Sequence, residues 1–194
     1  THKVIADNFK GAYDATTHLI NSGYKRIATL CNTVFLSIGK ERLAGYIAAL
    51  KDHGMEPDDA LIRYCQHGGM VAAEMDQAMN ELFSLANPPD AIFAAADKLT
   101  TGSLRALRSR GLTVPEDIGL IGFSNSELTE LLNPSLSVVR QPAFEMGEEA
   151  TSLLLELIES KRPVTDFQTR VLSTEMLLRS STRLQKRSPK TSLS

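Results

Sequence analysis

Short apolar runs alternate with helix-period segments along nearly the whole chain, and this alternation limits the fold more than any other feature. Residues 11–22 set Ala12, Ala15, Leu19 and Ile20 at helical spacing and stop at Gly23; residues 41–53 do so with Leu43, Ile47 and Leu50 and stop at Gly54. Residues 71–85 carry Met75, Met79, Leu82 and Phe83 on one helical face. Residues 99–110 end at Gly111, and residues 146–160 hold a strong apolar stripe. Between these lie strand-length runs at Ile27–Cys31, 61–65, 91–95, 118–123 and Ser137–Arg140, while 169–178 alternates like an edge strand. Apolar strands separated by helices specify βαβ units, hence a parallel sheet covered on both faces.

Composition narrows the class. The net charge of −2 gives the chain no general attraction for nucleic acid phosphates. Its one basic cluster, Lys186-Arg187 with Lys190, sits in a Ser/Pro/Thr-rich tail, residues 183–194, whose composition predicts disorder. No run approaches the roughly 18–20 apolar residues that span a bilayer, so no membrane segment is expected. The cysteines, Cys31 and Cys65, are too few for a disulfide scaffold and too far apart for a zinc motif. Both lie in apolar runs and are expected as buried reduced thiols, which suits a cytoplasmic location. The start, Thr1-His2-Lys3, has neither Met nor a leader pattern, and leads us to expect a piece of a longer protein.

In open parallel sheets, ligands bind beyond the carboxyl ends of the strands. The informative residues should therefore be 32–39, 66–69, Ala96-Asp97, Ser124-Asn125 and Gln141-Pro142. Catalytic motifs fare poorly there. Gly122-Phe123-Ser124-Asn125-Ser126 lacks the last glycine of a nucleophile elbow. A Ser124, Asp97 and His67 triad is conceivable only by position. No dinucleotide fingerprint or P-loop is present, and nothing calls for a metal or cofactor. Asp97, between a strand and a helix, is expected as an N-cap, with ligand contact compatible. Arg42 falls near a helix start, where a cation opposes the macrodipole and needs compensation. An arginine fork suits carboxylate, phosphate or paired hydroxyls.

Several blocks resemble the LacI/GalR repressor core. They are Val4-Ile5-Ala6-Asp7-Asn8, Glu41-Arg42-Leu43-Ala44-Gly45-Tyr46 and Pro89-Asp90-Ala91-Ile92-Phe93-Ala94. Gly111-Leu112-Thr113-Val114-Pro115-Glu116-Asp117-Ile118 is the most specific, followed by Asn133-Pro134-Ser135-Leu136, Gln141-Pro142, Glu145-Met146-Gly147 and Leu178-Arg179-Ser180-Ser181-Thr182. The resemblance implies a periplasmic-binding-protein-like α/β fold with an interlobe ligand cleft. The C-terminal lobe would comprise residues 26–140 and 169–182. Residues 1–25 and 141–168 would form part of the N-terminal lobe. A helix-turn-helix DNA reader and the rest of that lobe would lie outside this chain.

By the same resemblance, the chain is the sensing and dimerisation part of a cytoplasmic, DNA-binding repressor rather than an enzyme. Arg42, His67, Asp97, Ser124 and Gln141 would face a small-molecule effector. Leu99, Ser103, Leu128, Leu131 and Leu132 would contribute to a homodimer, although the three later leucines could equally be core. Operator DNA would be met through the missing domain. A periplasmic sugar-binding protein is the alternative. The family pattern has Asn-Asp where this chain has Ala96-Asp97, and an acid where it has Ser124. Loss of that acid leaves Arg42 less balanced, which implies a phosphorylated or acidic sugar, or else weakened or lost effector binding.

Overall fold

The computed structural model describes residues 1–33, 35–160 and 165–182. The expected disordered tail, residues 183–194, lies outside the described residues. Eight strands and six α-helices follow one another among them. These are β1 (Lys3–Ala6), α1 (Asn8–Asn21), β2 (Ile27–Cys31), α2 (Ser37–Asp52), β3 (Ile62–Tyr64), α3 (Ala72–Phe83), β4 (Ala91–Ala94), α4 (Asp97–Ser109), β5 (Gly119–Phe123), α5 (Leu128–Leu131), β6 (Ser137–Arg140), α6 (Ala143–Glu159), β7 (Thr169–Leu172) and β8 (Glu175–Leu177).

Six strands form one sheet in the order β3-β2-β4-β5-β6-β8, parallel except for β8, which runs antiparallel to β6. Strand side chains alternate between its faces. Ile27, Cys31, Phe93, Ile121 and Phe123 join Ala12, Leu19 and Tyr46 of α1 and α2. Ala28, Leu30, Ile92, Leu120 and Val138 join Met75, Met79 and Leu82 of α3 and Leu99, Leu104 and Leu107 of α4. The methionine stripe of α3 is therefore core. The two cysteines, both free and buried, belong to opposite faces and cannot meet. Helices α1 and α2 touch most closely at Gly45, where a Cβ would come within 2.2 Å of the Phe9 carbonyl oxygen.

A second, two-stranded parallel sheet pairs β1 with β7, Lys3 opposite Thr169 through Ala6 opposite Leu172. Helix α6 packs on β1, and Arg170 of β7 is paired with Glu149 and Glu156 of α6. Among α6 residues, Leu153 is buried.

Several element boundaries differ from expectation. The expected edge strand 169–178 is two strands in different sheets, because the chain crosses between them at Ser173 and Thr174. Helix α1 begins at Asn8, capped by the Asp7 carboxylate accepting the Lys10 N–H at 2.9 Å. It packs against α2 and the large sheet. Of residues 1–25 the small sheet therefore takes only the strand Lys3–Ala6, and residues 169–172 go with it rather than with the large sheet.

Candidate functional site

Parallel strands point their carboxyl ends the same way, so the segments after β2, β4, β5 and β6 converge at one end of the large sheet, and the segment after β1 of the small sheet reaches the same place through Asn8. Arg42 sits among them. Helix α2 starts at Ser37 rather than near residue 41, so Arg42 lies in its second turn and opposes no macrodipole end. Its side chain is instead held by burial. Arg42 is only 4% exposed, with its guanidinium carbon 3.7 Å from the centroid of the Phe123 ring.

The guanidinium donates to three neutral acceptors: Asn8 Oδ1 at 3.0 Å, the Ala95 carbonyl at 2.7 Å and Gln141 Oε1 at 3.0 Å. These come from the tips of β1, β4 and β6. Burial pulls its pKa down to about 10, opposed by neighbouring Glu41, so it remains charged at neutral pH. Glu41 accepts from Asn8 Nδ2 at 2.9 Å, which fixes the amide so that its oxygen faces Arg42. An arginine fork carries more N–H groups than three acceptors use. The remainder have no hydrogen-bond partner among the described residues.

Ser124 and Asp97 form a second feature. Ser124, 2% exposed, donates its hydroxyl to Asp97 Oδ1 and accepts the Ser126 N–H at 3.1 Å. Asp97 is the first residue of α4, and the helix has no side-chain cap. The expected N-cap role is thus not what its carboxylate does: it is turned sideways to the serine. One oxygen is held and the other has no hydrogen-bond partner among the described residues. Both members are tied to Arg42 through the chain. Ala95, which binds Arg42, stands two positions before Asp97, and Phe123, beneath Arg42, immediately precedes Ser124.

Gln141 is fixed from behind. Asn125 Nδ2 donates to the Gln141 carbonyl at 2.7 Å, and Asn125 Oδ1 accepts the Gln141 N–H at 2.9 Å. A cavity of about 470 Å³, lined in part by Asn125, Gln141, Phe144, Ser173 and Glu175, opens beside this clamp.

His67 does not join the cluster through any side-chain bond. Its side chain is 61% exposed, and its Nδ1 and backbone N–H meet the two oxygens of Glu74 at 2.8 and 3.0 Å. These bonds hold the Glu74 carboxyl below its usual pKa. They also dispose of the conceivable triad, since no imidazole lies between Ser124 and Asp97. No group of three or more His, Cys, Asp or Glu that could hold a metal occurs among the described residues.

The expected interface residues divide. Leu99 and Ser103 are fully buried, Leu99 in the core beneath the sheet and Ser103 with its hydroxyl on the Leu99 carbonyl at 2.6 Å. Neither can be a surface contact, a correction that follows from the apolar face of α4 pointing inward. Leu128 and Leu131 are 64% and 80% exposed, whereas Leu132 packs partly against the core. Asn8, the Ala95 carbonyl and Phe123 were missed as partners of Arg42. The signal for Asn8 was available, since it lies just past a short apolar run. Asn32, past β2, has a buried Oδ1 without a hydrogen-bond partner among the described residues, and a Cβ at Gly68 would come within 3.1 Å of it.

Residues 16–182 match the pattern of the family described as periplasmic binding protein-like domain. The chain belongs to that family. Its relatives within the periplasmic binding protein-like family are regulators of the LacI type. It is 34% identical over 177 residues to the HTH-type transcriptional repressor CytR of Escherichia coli, covering 91% of this chain and 50% of the relative. It is 38% identical to the regulator CelR of Thermobifida fusca, covering 90% of this chain and 50% of CelR. A solved CelR–cellobiose complex superposes with a TM-score of 0.84 at 36% identity, over 93% of this chain and 54% of that one. The periplasmic binding protein-like chain thus spans about half the length of the curated relatives it matches. Those relatives are named as transcriptional regulators and not as enzymes or transporters. No described helix is long and apolar enough to cross a membrane.

Proposed function

We propose that this chain is the effector-sensing part of a cytoplasmic DNA-binding transcriptional repressor, which answers a sugar or related small molecule by changing its hold on operator DNA. One observation carries this reading: Arg42 is buried at the convergence of strand tips, fixed by neutral partners and with donors left over. The relation to repressors, one of whose structural relatives is titled as a cellobiose complex, supports the same conclusion. Operator contact would come from protein outside this chain. The periplasmic transporter alternative is not favoured by these relatives.

The replacement of an acid by Ser124 implies an anionic effector, or else weakened or lost binding. The geometry supports an uncharged one, since Asp97 brings a carboxylate to Ser124. Arg42 and Asp97 together then offer donor and acceptor with no net charge, a match for sugar hydroxyls. Calorimetry on the full-length protein tests this. Cellobiose or another neutral sugar should bind more tightly than glucose 6-phosphate, and Arg42→Ala should abolish the heat. Preference for the phosphate would reject the uncharged ligand, and binding that survives Arg42→Ala would reject the site.

Effector affinity should differ between operator-bound and free protein by about 1–3 kcal/mol of coupling. The exposed pair Leu128 and Leu131 supports self-association as a homodimer. A Leu128→Ser, Leu131→Ser variant should sediment as a monomer. An unchanged sedimentation coefficient would remove these leucines from the contact.

A further inference from the structure

The loops flanking Arg42 and Asp97 expose apolar side chains for which a ligand made only of hydroxyls has no use. Ile38 stands one helical turn before Arg42, on the same face of α2, and is 43% exposed; Leu36, at the helix N-cap, is 51% exposed. On the other flank, a Cβ at Gly69 would come within 2.8–2.9 Å of the Lys98 and Leu99 backbone. The loop after β3 therefore lies directly on the first turn of α4, which begins with Asp97. Met70 and Val71 follow that glycine and are 76% and 39% exposed. Strands β2 and β3 are neighbours, and a Cβ at Gly68 would come within 3.1 Å of Asn32 Oδ1, so the loops after these strands run side by side as a shelf next to the polar pair.

Resting on the sensor reading above, we propose that the effector is a hydroxylated molecule joined to an apolar ring or alkyl group. The hydroxyls meet Arg42 and Asp97, and the apolar group lies on Leu36, Ile38, Met70 and Val71. The assignment follows from continuity: the shelf adjoins the donor and acceptor on both sides, and none of its four side chains can bond a hydroxyl. Methionine adapts its shape to a ring and makes favourable sulfur–aromatic contacts.

Matched probe pairs test this by calorimetry on the full-length protein: methyl and phenyl β-glucoside, and methyl and phenyl β-galactoside. In each pair that gives heat, the ring-bearing member should bind at least about tenfold more tightly, as burial of one ring face predicts. Ile38→Ser with Met70→Ser should bring that ratio to within about twofold of unity, and Leu36→Ser alone, a milder change, should lower it in the same direction. Equal affinities in the wild type, or a ratio unmoved by both variants, would overturn the shelf and leave the sensor reading intact. A variant that weakens both members of a pair by one factor would also overturn it, because the shelf would then be covered by another part of the protein. No heat from any probe would remove the sensor reading and the shelf together.

Discussion

Replacing Gly45 by alanine sets two known magnitudes against each other. Alanine is favoured over glycine in a helix by about 1 kcal/mol, so propensity alone predicts a more stable protein. The added Cβ, however, would lie 2.2 Å from the Phe9 carbonyl oxygen, 2.9 Å from the Tyr13 nitrogen and 3.0 Å from the Ala12 Cβ. An ordinary C···O contact is about 3.3 Å or longer, so α1 and α2 must part by about 1 Å. The closest neighbours are backbone and cannot rotate aside. Overpacking of this kind costs typically 1–3 kcal/mol; with the upper figure, the net loss is about 2 kcal/mol. At a urea dependence of about 2 kcal/mol per molar, the unfolding midpoint should fall by about 1 M. Gly102→Ala is the control: the three atoms nearest its Cβ would all belong to the side chain of Met75, the first at 3.4 Å. That variant should gain about 0.5–1 kcal/mol. A Gly45→Ala midpoint that rises alongside Gly102→Ala would refute the packing argument. The separation would also reach the site, because α1 carries Asn8 and α2 carries Arg42.

Three further outcomes are expected. Burial raises the Cys31 and Cys65 thiols to about 11 from an ordinary 9.0. The folded state then keeps protons that the unfolded state releases, so stability should be unaffected below pH 9 and fall as pH rises from 9 to 11. A thiol reagent at pH 8 should label both cysteines only after unfolding, and rapid labelling of the native protein would contradict the burial. Tyr46→Phe removes the hydroxyl that donates to the Ile27 carbonyl at 2.7 Å, and should cost about 1–2 kcal/mol by thermal or urea unfolding. Ser181→Ala should cost more, about 2–3 kcal/mol. Ser181 Oγ donates to the Leu120 carbonyl at 2.6 Å and accepts the Ser137 N–H at 2.8 Å, so its loss orphans two buried backbone groups.

Periodicity gave the large sheet because its central strands β2, β4 and β5 are buried on both faces and read as continuous apolar runs. It failed where burial is partial. The strand Lys3–Ala6 is short and half-exposed, and residues 169–178 keep one alternation while changing sheets. The start of α2 was placed late because Ser37-Ile38-Gly39-Lys40 has no apolar stripe of its own. Arg42 is singled out in the sequence by the family resemblance and by a dipole argument that its second-turn position removes. What holds it, Asn8, Ala95 and Gln141, comes from three distant segments that only topology brings together. Leu99 and Ser103 came from the resemblance alone, which could not show that their face of α4 points inward. The turn of Asp97 toward Ser124 needed coordinates, since an acid at a helix start is ordinarily a cap.

The pairing of β1 with β7 joins four-residue segments from opposite ends of the chain. Closing a loop of that span from an unfolded coil costs about 4–5 kcal/mol in entropy, more than a short two-stranded ribbon returns by itself. The large sheet removes most of that cost by delivering Asp7 and Ser173 to neighbouring positions before the ribbon zips. Residues 3–6 should accordingly be the last to gain protection from amide exchange during refolding and the first to lose it. Within this chain, the core between the two strands brings their ends together, with the Asp7 N–H on the Leu172 carbonyl at 2.8 Å.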